Sequence, residues 1–294
     1  MNKNHRDMKN KKDPSDLSER FFSGADIPWE KSKAEVWNDL EHRLVKEDRS
    51  PVLVRRQLPG KQWLALAASL VLLLSVASFM RFYTVNIETP AGVHTSLSLP
   101  DGSGVEVNAA TSLSYHPYWW FLSRKVDLEG EAFFMVEKGR RFRVVSDLGT
   151  TEVLGTTFNV FARGDNYQVS CHTGRVRVSA AAKDLSVILS PNEQAELEDS
   201  GALKVSPLGG PVQAPGWTRN LIMFSSAPLR LVFDEIERQY GIVIETPAEM
   251  QQVYSGNFSL DQSVENILSL LCLPFDLTYE RQTGNSYLVY PSED

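Results

Sequence analysis

The sequence contains little cysteine and none of the common catalytic motifs. Only Cys171 and Cys272 occur among 294 residues, and their separation fits neither a CxxC redox pair nor a zinc site. Walker A, GxGxxG, HExxH and GxSxG motifs are missing. A formal net charge of −7 argues against nucleic-acid binding, which needs a basic face. These absences predict no cofactor, no metal, no direct nucleic-acid partner and no enzymatic activity on a separate substrate.

The remaining side chains with chemical potential are scattered. Because neighbouring strand residues point to opposite faces, Cys171 and His172 are not expected to share a metal. The two cysteines could pair in an oxidising compartment, but they fall in different predicted domains, so we expect two free, buried thiols. Three histidines are expected to be strand or turn residues: His94, His116 and His172. Two groups of carboxylates are expected to face solvent: Glu129 with Glu131, and Asp234 with Glu235 and Glu237.

One long uncharged run divides the chain. From Trp63 to Met80, eighteen residues contain no charge, proline or glycine. As a helix this run extends about 27 Å, close to the roughly 30 Å hydrocarbon thickness of a bilayer. Buried core helices are seldom this long and uncharged, and the 62 preceding residues argue against a signal peptide. We therefore predict a single transmembrane helix over residues 62–83.

The charges on either side of the run predict its orientation. Residues 1–62 contain 14 basic and 11 acidic residues, a net charge of +3, whereas the remainder contains 16 and 26, a net charge of −10. Four basic residues precede the span closely, Arg49, Arg55, Arg56 and Lys61, and only Arg81 follows it closely. Lysine and arginine resist translocation. We therefore expect a single-pass membrane protein with its N-terminus in the cytoplasm and its C-terminal part exported.

The cytoplasmic segment, residues 1–61, contains one predicted amphipathic helix. It is expected to begin near Asp26–Glu30, with Asp26 as its N-cap and Pro28 in the first turn. Its apolar residues form one stripe: Trp29, Val36, Trp37, Leu40 and Leu44. The segment is too short to bury this stripe against itself. The two tryptophans favour docking into a partner's groove, and the alternative is a helix lying on the inner leaflet.

The exported part divides into two regions joined by a Pro/Gly linker at residues 207–216. Residues 84–206 alternate apolar and polar side chains between glycine turns, which predicts an all-β antiparallel sandwich or coiled sheet. Residues 217–294 predict an α+β unit of order β-α-β-β-α-β-β, a split βαβ arrangement. The fold class is therefore multi-domain: a short helical segment, one transmembrane helix, an all-β domain and an α+β domain.

Both exported regions resemble known domains. A series of motifs resembles the FecR-type anti-sigma regulator domain: Pro90-Ala-Gly92, Leu99-Pro-Asp-Gly-Ser103, Leu128-x-Gly-Glu-Ala-Phe133, Val153-Leu-Gly-Thr156 and Phe158-Asn-Val160. A second group is similar to the C-terminal domain of FecR-like proteins of the Bacteroidetes type: Trp217, Phe224, Pro228-Leu229 and Glu237-Arg238-x-Tyr240-Gly241. That unit also resembles the small signalling domains of TonB-dependent outer-membrane receptors.

The resemblance implies a transmembrane anti-sigma factor of the inner membrane, with its C-terminal domains in the periplasm. Residues 1–61 would then hold an extracytoplasmic-function sigma factor through the stripe described above. The C-terminal domain would receive a signal from the signalling domain of a TonB-dependent outer-membrane receptor. The resemblance further implies stepwise cleavage by envelope proteases, which releases the cytoplasmic fragment.

Some FecR-like regulators also cut themselves at a Gly-Thr bond. The threonine hydroxyl attacks the preceding carbonyl carbon, and water opens the resulting ester. Gly155-Thr156 matches this bond, and Gly149-Thr150 is another Gly-Thr pair in this region. The alternative is that Gly155 simply allows a tight turn or bulge.

A different function class is also compatible with the layout. A single-pass envelope scaffold or assembly protein would use its β domain to bind glycan. Four aromatic residues could stack on sugar rings, or else pack in a core or near the membrane: Tyr115, Tyr118, Trp119 and Trp120.

Overall fold

The structure is a computed structural model that describes residues 30–46, 60–181, 185–209, 214–247 and 250–292. The chain forms two compact units, residues 1–66 and residues 67–294. Trp29 and the predicted cap Asp26 lie outside the described residues.

In the N-terminal unit, helix α1 (Lys33–Lys46) begins later than the sequence pattern suggested. Ser32 N donates to Glu35 Oε2 at 2.9 Å, and Glu35 N donates to Ser32 Oγ at 3.4 Å. This reciprocal pair is a capping box, which satisfies backbone N–H groups at a helix start. The predicted start near Asp26–Glu30 is therefore wrong, because the Ser-x-x-Glu sequence caps the helix after Ser32.

Helix α2 (Gly60–Phe82) contains the uncharged run. It has 23 residues, a mean hydropathy of 2.2 in its most apolar window and no buried residue in that window. Its length and composition are sufficient to cross a membrane. This helix fits the predicted single-pass arrangement.

Beyond α2 the chain folds into a β domain, which we define as strands β1 to β13. These strands are β1 (Val85–Thr89), β2 (Thr95–Ser98), β3 (Gly104–Val107), β4 (Thr111–Tyr115), β5 (Arg124–Met135), β6 (Phe142–Val145), β7 (Gly149–Val153), β8 (Thr157–Arg163), β9 (Asn166–Cys171), β10 (Val176–Ala180), β11 (Ser186–Leu189), β12 (Glu193–Leu197) and β13 (Leu203–Pro207).

Two layers of strands share β5. One layer has the order β1-β4-β5-β6-β7-β10-β11, and the other has the order β2-β3-β5-β8-β9-β12-β13. Strand β5 changes partner at Gly130: β4 pairs with it up to Glu129, and β8 pairs with it from Gly130 onward. A Cβ at Gly130 would lie 2.5 Å from Thr111 Oγ1, so only glycine allows this close approach.

The predicted β architecture is confirmed, with one correction. Strands β5 and β6 run parallel, whereas the sequence predicted only antiparallel pairs. The connection 136–141 returns the chain from the second layer to the first, where β6 lies beside the first half of β5. Between the layers the core is apolar, and Phe134 stacks on Phe158 with ring centroids 5.1 Å apart.

The C-terminal domain follows the predicted order of elements. It contains a 3-10 turn (Gly216–Arg219), β14 (Leu221–Pro228), α3 (Leu229–Tyr240), β15 (Val243–Glu245), β16 (Val253–Ser259), α4 (Val264–Cys272), β17 (Leu277–Arg281) and β18 (Ser286–Pro291). The strands form two small sheets, β14-β16 and β15-β18-β17, with β15 parallel to β18. The domain therefore fits a split βαβ arrangement only loosely, because that arrangement implies a single sheet.

Each domain has its own apolar core and its own cysteine. Cys171 lies in the core of the β domain and Cys272 in that of the C-terminal domain. Both thiols are free and buried, and burial raises the pKa of each to about 11. Neither is therefore a thiolate at neutral pH.

Candidate functional site

The apolar stripe expected to bind a sigma factor lies on the surface of α1. Four of its five residues are described, and their side chains are exposed to 40, 69, 47 and 64%: Val36, Trp37, Leu40 and Leu44. Because i, i+1, i+4 and i+8 positions fall on one side of a helix, they form a single apolar face. Asp39 and Arg43 pair at 3.7 Å elsewhere on the helix. An exposed tryptophan within such a face is suited to a partner's pocket.

The candidate self-cleavage bond lies between β7 and β8. Gly155 has a φ of +156°, and a Cβ there would lie 2.8 Å from Lys138 Cα. Close packing against Lys138 therefore requires a glycine. Thr156 is buried, and its hydroxyl donates to Arg175 O at 3.2 Å. These contacts account for both residues as parts of a tight connection, and cleavage stays a prediction.

The four aromatic residues considered for glycan binding do not form one exposed platform. Trp120 is buried in the core of the β domain, with Tyr115 packed edge-on against it at 5.6 Å. Tyr118 and Trp119 instead contact the last turns of α2. This geometry favours core packing and proximity to the span over a sugar-binding surface.

The most unusual chemistry lies where the β domain meets the C-terminal domain. Glu131, in the middle of β5, is buried, and its carboxylate accepts three hydrogen bonds. Asn108 Nδ2 donates to Oε2 at 2.7 Å, and Asn159 Nδ2 donates to Oε1 at 2.8 Å. Trp217 Nε1, from the C-terminal domain, donates to Oε1 at 2.9 Å. The expectation that Glu131 faces solvent is therefore wrong, because the C-terminal domain covers this face of β5.

Helix α3 extends this contact on the C-terminal side. Gln239 Nε2 donates to Asn108 Oδ1 at 2.8 Å and to Glu235 Oε1 at 2.7 Å. His94 Nε2 lies 2.8 Å from Gln239 Oε1. Glu235 is also largely buried, with only 12% of its side chain exposed, so its expected solvation is wrong as well. We call the five side chains that join the domains the interdomain cluster: Asn108, Glu131, Asn159, Trp217 and Gln239.

Burial and neighbouring charges shift the pKa values of Glu131 and Arg163 at the cluster. Burial raises the pKa of Glu131, and the nearby Glu235 raises it further, against the opposing effect of its hydrogen bonds and of Arg163. Burial also lowers the pKa of Arg163. The Arg163 guanidinium donates to the carbonyl oxygens of Ala109 and Ala110, each at 2.6 Å. It therefore holds the β3–β4 turn beside the cluster.

A cleft of about 550 Å³ opens beside this interface and is lined by residues of both domains, including Arg163, Trp217 and Glu235. Backbone groups add a further link, because Gly92 N donates to Arg238 O at 2.8 Å. In the described part of the chain, no group of three metal-binding side chains occurs. The arrangement is suited to holding the two domains together, and the hydrogen bonds across it would break if the domains separated.

Sequence reasoning missed this cluster although signals were present. Within β5, period-two alternation places Glu131 and Phe133 on the face opposite the core residues Ala132 and Phe134. A phenylalanine two positions from a glutamate on an outer face indicates that another part of the protein covers that face. What the sequence does not show is that Trp217, 86 positions away, supplies part of that cover.

The chain matches known families and structures in this region. The family model described as FecR protein matches residues 85–177, and the model described as FecR, C-terminal matches residues 221–289. Together they cover more than half of the chain. No curated protein matches the sequence.

Two crystal structures of a candidate anti-sigma factor from Parabacteroides distasonis, at 2.50 and 1.65 Å resolution, are similar to this chain. Each has a TM-score of 0.64 and 26% sequence identity. The matches cover 72% and 71% of this chain and 100% of each of those chains. The fold, the two matched domains and these relatives agree, and the chain belongs to the FecR-like anti-sigma factors that carry the additional C-terminal domain.

Proposed function

We propose that the chain is a single-pass transmembrane anti-sigma factor whose residues 1–61 hold an extracytoplasmic-function sigma factor. The observation that carries this proposal is the exposed apolar face of α1, with Trp37 exposed to 69%. An amphipathic helix with an aromatic anchor typically binds in a hydrophobic groove. Nothing within the described N-terminal unit covers this face.

Helix α2 and the flanking charges support the topology in this proposal. Residues 1–61 lie in the cytoplasm, α2 crosses the inner membrane, and the two C-terminal domains lie in the periplasm. The support is the excess of lysine and arginine before α2 and the acidic character of the residues after it.

The periplasmic domains receive the signal of a TonB-dependent outer-membrane receptor. The interdomain cluster supports this part of the proposal. A partner that moves the C-terminal domain would also displace Trp217 and so change its hydrogen bond to Glu131 in the β domain. A single rigid helix carries a small shift across a bilayer poorly. Separation of the two domains, followed by cleavage by envelope proteases, would release the sigma factor instead.

The test is a promoter reporter in cells that express the full chain or its Trp37→Ala variant. Loss of a hot-spot tryptophan costs about 2 kcal/mol or more, roughly a 30-fold loss of affinity. We expect Trp37→Ala to release the sigma factor from membrane pull-downs and to activate the reporter. Asn38→Ala, an exposed change on the same helix, is the matched control.

Deletion of residues 1–55 distinguishes this proposal from a glycan-binding scaffold. An anti-sigma factor loses all restraint of its promoter after the deletion, whereas a scaffold keeps its envelope function. Unchanged reporter activity in both the deletion and Trp37→Ala would refute sigma binding.

A further inference from the structure

The turn between β4 and β5 exposes apolar side chains close to the end of α2. Tyr118, Phe121 and Leu122 are exposed to 44, 63 and 54%. Trp120, between them in sequence, is buried in the core and ties the turn to the β domain. We call residues 116–123 the aromatic turn. Neighbouring exposed apolar side chains of this kind are typical of interaction surfaces.

Ring contacts place the aromatic turn at the level of the last turns of α2. The Tyr118 ring lies 6.3 Å from Phe79 and 5.4 Å from Tyr83. Arg81 Cζ lies 5.4 Å from the Trp119 ring. Phe79 belongs to the uncharged run that is long enough to span a bilayer. A side chain that contacts Phe79 therefore lies near the membrane boundary.

The connection between helix and β domain leaves little freedom at this point. Only Tyr83 and Thr84 separate α2 from β1. His116 Nδ1 lies 3.1 Å from both Tyr83 O and Thr84 Oγ1, so the aromatic turn is bonded to this connection. The turn therefore stays beside the helix end.

Two arginines lie beside the aromatic turn, and neither has a carboxylate partner among the described residues. Arg140 Nη2 donates to Phe121 O, and Arg143 Nη2 lies 3.5 Å from Ser123 Oγ. In the described residues, no ion pair joins Arg140 or Arg143 to an acidic side chain. Both line a recess of about 470 Å³ together with Arg141. Guanidinium groups bind phosphate oxygens well.

We propose that the aromatic turn inserts into the headgroup region of the bilayer that α2 spans, and that Arg140 and Arg143 bind the phosphates of its lipids. Aromatic side chains beside basic ones are typical of membrane interfaces. The occupant is lipid because the surface is continuous with the span. This inference rests on the membrane insertion in the proposed function but not on its orientation.

Depth-dependent quenching in the full-length protein tests the proposal. The two native cysteines are buried, so a fluorophore is attached to a single introduced cysteine in Leu122→Cys. The protein is reconstituted in nanodiscs of phosphatidylcholine and phosphatidylglycerol that contain a lipid spin-labelled near its headgroup. Leu72→Cys, within α2, reports insertion of the span, and Leu273→Cys is a matched exposed leucine of the C-terminal domain.

We expect strong quenching at position 122 and little at position 273. In parallel nanodiscs the lipid carries its spin label deep in the acyl chain, where it should quench position 72. Quenching at 72 by this deep label, with equal and weak quenching at 122 and 273 by the headgroup label, would overturn the inference and leave the span intact. Failure of the deep label to quench position 72 would instead refute membrane insertion, and with it the proposed function.

A second comparison tests the arginines. Each arginine near an anionic bilayer surface should favour the inserted position of the aromatic turn over a withdrawn one by roughly fivefold. Arg140→Gln with Arg143→Gln should therefore lower quenching at position 122. Lys204→Gln with Arg219→Gln, which removes two charges elsewhere, should leave it unchanged. Equal quenching in both double variants would refute the binding of phosphates by Arg140 and Arg143.

Discussion

Replacing Trp217 with phenylalanine should loosen the contact between the β domain and the C-terminal domain. The Trp217 indole is buried and donates to Glu131 Oε1 at 2.9 Å. A hydrogen bond to a charged group contributes about 1.5–3 kcal/mol, and phenylalanine removes this donor. An aromatic ring remains beside His94, whose centroid lies 5.5 Å from that of Trp217. The expected loss in interdomain stability is therefore about 1.5–3 kcal/mol.

Trp120→Phe is the matched control. Trp120 is also buried, at 5% exposure, but its Nε1 has no hydrogen-bond partner in the described part of the chain. Both substitutions remove the same ring atoms, whereas only Trp217→Phe removes a hydrogen bond. Faster exchange in Trp217→Phe than in Trp120→Phe therefore reports the loss of a contact between the domains rather than the loss of a buried indole.

Hydrogen exchange of the Gly92 amide measures the opening of the interface. This N–H donates to Arg238 O at 2.8 Å, across the two domains. Since about 1.4 kcal/mol corresponds to a factor of ten, Trp217→Phe should accelerate exchange of the Gly92 peptide by roughly 10- to 150-fold. Full-length protein in detergent micelles is suitable for the measurement. If Trp217→Phe accelerates exchange no more than Trp120→Phe does, the argument for the interdomain cluster is refuted.

Three further variants test buried and tightly packed positions. Burial raises the pKa of Glu131, so the wild type should gain stability relative to Glu131→Gln as the pH falls from neutral through that raised pKa. The gain should level off below the ordinary pKa of 4.5. Chemical denaturation at several pH values measures this difference in unfolding free energy. A flat difference would mean that Glu131 titrates normally. Thr156→Ala should abolish any cleavage fragment ending at Gly155 on immunoblots while Thr156→Ser retains it; identical full-length bands in wild type and Thr156→Ala would dismiss self-cleavage. Gly130→Ala forces a Cβ to within 2.5 Å of Thr111 Oγ1 at a φ of +121°, so it should cost about 1–3 kcal/mol in denaturant unfolding, and an unchanged midpoint would contradict the close approach.

Local patterns predicted most elements because their causes are local. Alternation along β5 predicted a strand with Val126 and Leu128 inward, and both are buried. In α3, Val232, Phe233 and Ile236 recur at helical spacing and are buried as expected. The predicted start of α1 was wrong because Asp26 and Pro28 have the composition of a helix start, whereas the reciprocal hydrogen bonds of Ser32 and Glu35 set the observed one. The parallel β5–β6 pair depends on where a connection returns, which no local pattern encodes.

The candidate binding face of α1 and the interdomain cluster differ in how far the sequence predicted them. The α1 face was predictable because helical spacing alone aligns Val36, Trp37 and Leu40. The cluster was not, since Glu131 resembles any solvated strand carboxylate until Trp217 covers it. Burial of a charge is a property of the assembled domains rather than of its neighbours in sequence.

The sequence by itself determined the long apolar helix, the charge asymmetry on either side of it and the division into an all-β and an α+β region. Each depends on hydropathy or periodicity over a few to some twenty residues, and such terms are additive along the chain. Only the tertiary structure decided that Glu131 is buried between domains and that the aromatic turn lies beside the end of α2. Both depend on contacts between residues far apart in sequence, such as Glu131 with Trp217 and Phe79 with Tyr118. Hydrogen bonding and desolvation are settled by those contacts, because a side chain's solvent exposure depends on what the folded chain brings next to it.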